Sequence, residues 1–281
     1  MARSAKWYGW VPDLPDQRDR VFRAPPKRIG PLPGRVDLRS LCPPIWDQGA
    51  IGSCTAHAIA GALEFDQMKQ ALADAFVPSR LFIYYNERVM EGTVDEDAGA
   101  MIRDGIKSVA HQGAPHERLW PYDVTRFRAK PPKPAYADAR KHAAVLYERV
   151  TQDLSQLRGC LADGYPVVFG FSVYASFESD AVTKSGRAPM PKRQEKMVGG
   201  HAVLTVGYDH AAQRFIVRNS WGSSWGLNGY FTMRTRICST RTSATISGRS
   251  SSSNERARLV HSFRCRTTGG AAHVEQRRSA G

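Results

Sequence analysis

The chain has 281 residues, 42% hydrophobic and 23% charged, the proportions of a globular protein with length for one sizeable core or two subdomains. Forty lysines and arginines against 26 acidic residues leave a formal charge of +14. Half of that excess falls in residues 235–281, where nine arginines face two glutamates, and no RNA- or DNA-binding motif accompanies it, so nucleic acid is not an expected partner. The sequence contains no run of 18 apolar residues and so no expected membrane span.

Residues 1–31 are rich in Pro, Arg and Asp and carry aromatics at Trp7, Tyr8 and Trp10. They lack the apolar core of a secretory signal peptide, which predicts a cytoplasmic location unless a non-classical route exports the protein. Two readings of this segment stand side by side: a structural arm laid over the surface, or a short inhibitory propeptide lying in a cleft. The stretch WDQGAIGSCTAHA, Trp46–Ala58, breaks at Gly49, Gly52 and Ser53. Ala56, Ile59, Ala60 and Leu63 then recur at helical spacing, so Cys54 is expected at the start of a helix running to about Ala75. A thiol at a helix N-terminus meets unpaired amides and aligned dipoles, which favour the thiolate. A solitary cysteine at a turn is nevertheless most often just a small buried side chain, and only partners elsewhere argue for more.

Ser79–Met90 predicts a second helix, and Gly99 opens a third that ends near Gly113. The Pro- and Lys-rich stretch from Arg126 to Tyr136 reads as a crossing between a helical part, about 45–128, and a strand-rich part, about 135–234. There, Tyr147–Val150 and Tyr165–Tyr174 read as strands, Ser155–Ala162 as a short helix and 184–196 as a basic loop. VGGHAVLTVGY, Val198–Tyr208, sets His201 after a glycine pair and before a β-branched run, and IVRNSWGSSWGLNGYF, Ile216–Phe231, sets Asn219 at the end of a short strand. Residues 235–281 show no amphipathic pattern and read as a basic Ser/Arg-rich tail without regular structure.

Taken singly, His201 and Asn219 are ordinary residues, but with Cys54 they form a set. His201 lies 147 residues after the cysteine and Asn219 lies 165 after it. The arrangement resembles the papain-like cysteine peptidases over about Val36–Phe231. The resemblance implies an α+β, two-subdomain fold: a helical left subdomain and an antiparallel β right subdomain, within residues 32–234, with the active-site cleft between them. It implies a cysteine endopeptidase in which Cys54 is the nucleophile, His201 the base, Asn219 the residue orienting it and Gln48 the oxyanion donor. By the same resemblance Gly99 pairs with extended substrate, Met101 walls the main side-chain pocket, and Trp221 screens the His201–Asn219 contact. Gly200 leaves one pocket edge without a side chain. No metal and no cofactor are expected, the partner is a protein or peptide substrate, and the enzyme is expected to act as a monomer.

The sequence departs from the family at three places. The cysteine usual three residues before the nucleophile is Ile51, and the tryptophan usual after it is Thr55. With five widely spaced cysteines, Cys42, Cys54, Cys160, Cys238 and Cys265, neither a disulfide framework nor a cysteine zinc site is expected, in keeping with a reducing compartment. The strand or two with which such domains finish is not legible after Met233. Alternatives that keep the fold are a non-catalytic binding module and a thiol acyl transferase.

Overall fold

A computed structural model describes residues 8–14, 16–24, 32–143, 145–236 and 259–267. Its strands are β1 (Trp10–Val11), β2 (Val21–Phe22), β3 (Arg35–Asp37), β4 (Ala100–Met101), β5 (Val145–Val150), β6 (Val167–Tyr174), β7 (Met197–Asp209), β8 (Arg214–Arg218), β9 (Tyr230–Arg234) and β10 (Leu259–Thr267). Its α-helices are α1 (Cys54–Lys69), α2 (Arg80–Glu91), α3 (Ile102–Gln112), α4 (Lys133–Ala139), α5 (Leu154–Ala162) and α6 (Asp180–Ser185). None of the described helices is long and apolar enough to cross a membrane.

The buried hydrophobic side chains form two clusters. Ile59, Leu63, Leu81, Phe82, Ile102 and Ile106 join α1, α2 and α3 in one. Leu161, Val167, Phe169, Val203, Phe215 and Phe231 fill the other, beneath the large sheet. That sheet runs β2-β5-β10-β6-β7-β8-β9, with β3 added on β7, and is antiparallel except where β2 lies parallel to β5. The α+β architecture of a helical and a β subdomain is therefore the observed one.

Local chemistry fixes the helix ends. Ser79 caps α2 by accepting a hydrogen bond from the Phe82 N–H at 3.2 Å, and Gly92 ends it at φ +70°. Helix α1 begins at Cys54 as expected but stops at Lys69 rather than near Ala75, because the chain turns out of helical geometry at Ala71, φ +50°. Helix α6 was not foreseen and takes the first residues of the expected 184–196 loop; Ser179 caps it from the Val182 N–H at 3.4 Å.

The tail requires a correction. Leu259–Thr267 pairs antiparallel with β5 on one side and β6 on the other, so part of 235–281 is a central strand of the sheet. Arginine-rich composition hid a nine-residue segment whose ladder partners lie about a hundred residues earlier. Residues 237–258 and 268–281, to which the rest of that reading applied, lie outside the described residues.

Residues 8–14 and 16–24 contact both subdomains. On the helical side Asp13 accepts the Arg103 N–H at 2.9 Å, and Asp19 takes the Arg103 guanidinium at 3.0 and 2.5 Å. On the sheet side β2 joins β5, and the Ala24 N–H donates to Gln156 at 2.9 Å.

Candidate active site

Cys54 opens α1 at the seam between the two cores, completely buried. The turn before it is held from three directions. Gly49 adopts φ +63°, Asp97 accepts the Gly52 N–H through both carboxylate oxygens at 2.9 and 3.1 Å, and the Tyr122 hydroxyl donates to the Gln48 carbonyl at 2.8 Å. Asp97 in turn is fixed by the Tyr84 hydroxyl. Asp97 thus buttresses the cysteine's turn.

Strand β7, beginning at Met197, carries His201 in its interior. The next residue, Ala202, donates its backbone N–H to Cys54 Sγ at 3.4 Å, which brings the two subdomains together at the sulfur. His201 Nε2 donates to Asn219 Oδ1 at 2.8 Å, and the Ser220 N–H donates to the same oxygen at 2.9 Å. Trp221 stacks on the imidazole, ring centroids 4.8 Å apart and 27° from parallel, and is itself buried. Its ring covers one face of the imidazole.

Gln48 is fully buried, with its Nε2 donating to the Ile51 carbonyl at 3.0 Å and its Oε1 accepting from Ser220 Oγ at 2.7 Å. Ser220 therefore orients both Gln48 and Asn219. Sequence reasoning passed over it, although its place directly after Asn219 was the available signal. Thr55 donates to Glu87 at 2.6 Å, and burial pushes the Glu87 carboxyl well above its ordinary value. A second histidine, His57, sits one turn along α1. It offers no competing base, since burial pulls it down to about 3 and the backbone carbonyl of Ser53 engages its Nδ1 at 3.0 Å.

The remaining sequence-predicted residues meet not solvent but the N-terminal segment. Strand β1 lies parallel to β4, with Trp10 opposite Ala100 and Val11 opposite Met101, and the Ala100 N–H donates to the Gly9 carbonyl at 2.6 Å. Pairing is thus made by the residue after Gly99, whose φ of +74° turns the chain toward it. Trp10 is 5% exposed and fills the space left by two glycines: a Cβ on Gly170 would fall 2.0 Å from its ring, and one on Gly200 2.8 Å from it. Tyr8 packs edge-on to His201 at 5.8 Å and donates to Glu178 at 3.0 Å.

This cover changes the thiol. The sequence predicts a lowered pKa at a helix N-terminus, but burial pushes Cys54 up to about 11, outweighing hydrogen bonds from the backbone N–H groups of Ala202 and Gly9.

Gly9 touches the backbones of Gly52 and Gly99 at once, and a Cβ there would lie 1.8 Å from the Gly52 carbonyl oxygen. Gly9→Ala is therefore expected to lift the segment. An overpacking cost of about 1–3 kcal/mol corresponds to an increase of roughly 5- to 150-fold in labelling of Cys54 by a thiol reagent. Unchanged labelling would mean that this contact does not hold the cover in place.

Comparison with known proteins gives a consistent picture. Residues 32–248 match the model of the papain family cysteine proteases. The chain is 44% identical over 250 residues to an uncharacterized peptidase C1-like protein of Acanthamoeba polyphaga mimivirus, covering 80% of each. It is 30% identical over 220 residues to pro-cathepsin H of Mus musculus, covering 72% of this chain and 60% of that one. Among solved structures it resembles xylellain, a cysteine protease from Xylella fastidiosa, with a TM-score of 0.83 and 39% identity over 96% of this chain and 99% of that one.

Proposed function

The chain belongs to the papain family of cysteine proteases, and from that premise we propose that it is an endopeptidase held latent by its own N-terminal segment, with Cys54, His201, Asn219 and Gln48 as its catalytic set. The observation that carries the proposal is the approach of β7 to the sulfur, the Ala202 N–H at 3.4 Å, beside an imidazole whose Nε2 is already committed to Asn219. With Nε2 so fixed, Nδ1 is the nitrogen that takes the thiol proton. The thiolate attacks the substrate carbonyl, and His201 returns the proton to the leaving amine, giving a thioester that water then hydrolyses. Gln48 Nε2 and the Cys54 backbone N–H stabilise the oxyanion; loss of such a donor costs about 3–4 kcal/mol of barrier.

Latency rests on what the sulfur faces. The Gly9 N–H is presented to Sγ and β1 pairs with β4 beside it, so the segment occupies the cleft where substrate would lie. The glycine-lined space occupied by Trp10 supports a preference for substrates with a bulky aromatic side chain, with Gly200 and Gly170 as its floor and Gly99 and Met101 alongside.

The test is an epoxide thiol inactivator applied after removal of residues 1–31, together with peptides carrying an aromatic residue. Expected are one label per chain, on Cys54, and peptide cleavage that the label abolishes, with neither in Cys54→Ala. Labelling without peptide products would replace the endopeptidase with a thiol acyl transferase or a non-catalytic module.

A further inference from the structure

A second constellation of reactive side chains shares no residue with the site above. His116 follows α3, Asp138 lies in the last turn of α4, and His142 follows four residues later. One ring nitrogen from each histidine and a carboxylate oxygen all lie within 4.8 Å of one another. We propose that these three residues form a binding site for a borderline divalent cation of the zinc or cobalt type, with water completing the coordination.

Three observations support the assignment. The first is the donor set: two imidazoles and one carboxylate are the mixed N/O ligation that such cations favour. The second is His142 Nε2, which is buried with no hydrogen-bond partner among the described residues and stands 4.0 Å from Asp138 Oδ2. That gap is too long for a hydrogen bond, whereas two donors bound to one cation through bonds of about 2.0–2.2 Å stand roughly 3–4 Å apart. His116 Nδ1, now 2.7 Å from the same oxygen, has to open by only about half an ångström to join them.

The third is preorganisation. Phe76 stacks on His116 at 4.3 Å and leans on His142 at 4.3 Å, fixing both rings. Asp138 is oriented by the His116 backbone N–H at 3.0 Å, an outer hydrogen bond of the kind that aims metal ligands. The end of α4 is locked against Gly113, where a Cβ would fall 1.8 Å from the Ala139 carbonyl oxygen. The three side chains keep 26%, 13% and 22% exposure, which places the cluster at the protein surface. Lys141, 3.9 Å from Asp138 and 72% exposed, opposes a second positive charge but is free to swing into solvent. The sequence predicts no metal because its cysteines lack ligand spacing; this cluster uses none of them. Bound there, the cation would tie the segment after α3 to the end of α4 as a structural clamp.

The experiment uses the full chain carrying Cys54→Ala, which removes the active-site sulfur as a competing ligand. Titration with Co²⁺ is expected to give one ion per chain, visible absorption bands without sulfur-to-cobalt charge transfer, and a raised melting temperature that EDTA reverses. His142→Asn and Asp138→Asn are each expected to weaken binding by about tenfold or more. In cobalt-soaked crystals an anomalous peak should lie between the three side chains, a readout that holds even where a variant does not fold. A parent chain that binds no cobalt, a peak elsewhere, or variants that bind as the parent does would each overturn the site and leave a hydrogen-bonded His–Asp pair packed under Phe76.

Discussion

Removal of residues 1–31 is expected to accelerate alkylation of Cys54 at pH 7 by two orders of magnitude or more. The sulfur has no exposed surface, so a reagent reaches it only in chains whose cover has lifted, and the gain on excision equals the docking constant. That constant has a floor. Burying a large apolar side chain such as Trp10, 5% exposed, contributes about 1.5–3 kcal/mol, roughly 12- to 150-fold, and the polar anchors of the segment raise it further. Ionisation adds a pH signature. Docking raises the thiol to about 11, so docking and proton retention are linked. The docked state has its full advantage below the pKa of the uncovered thiol and loses it as pH climbs toward 11. The excised enzyme should therefore reach its alkylation plateau at lower pH than the full chain. Equal rates before and after excision would sink the latency.

The parts of the molecule visible in sequence are those encoded locally. Helix α2 announces itself through its apolar spacing and the Ser79 cap, and the nucleophile's turn through Gly49, Gly52 and Ser53. His201, Asn219 and Gln48 each sit in a short motif, and the structure sets His201 against Asn219 and β7 against the sulfur. What stayed hidden depends on contacts between distant segments. Nothing around Gly9 says that its carbonyl will meet Ala100, ninety residues on, or that Trp10 will fill the gap left by Gly170 and Gly200. The place of Leu259–Thr267 between β5 and β6 is a matter of register with remote partners, which an arginine-rich stretch does not advertise. Even the sign of the Cys54 shift turned on this: the helix N-terminus lowers a thiol pKa, but burial under a remote segment overrides it.

The strongest single tether of that segment is the pair between Arg103 on α3 and Asp19. It is bidentate, at 3.0 and 2.5 Å, with side chains 6% and 4% exposed, and a third guanidinium nitrogen donates to the Leu14 carbonyl. Breaking a buried pair from one side costs about 3–5 kcal/mol because the other charge is stranded. Here the lower end applies, since Arg149 stays 3.4 Å from Asp19. Arg103→Ala in the full chain is thus expected to raise alkylation and peptide cleavage about a hundredfold, approaching the excised enzyme. Arg103→Lys should recover little, because an ammonium cannot span both carboxylate oxygens. The same substitution in the excised enzyme should leave activity unchanged, since its partners, Asp19 and Leu14, are gone. Asp19→Asn should release the full chain similarly, and combining it with Arg103→Ala should add far less than the sum. A full chain that stays silent with Arg103→Ala would show that the cover is held by Gly9, Trp10 and β1 at the cleft itself, with the strap across α3 a bystander.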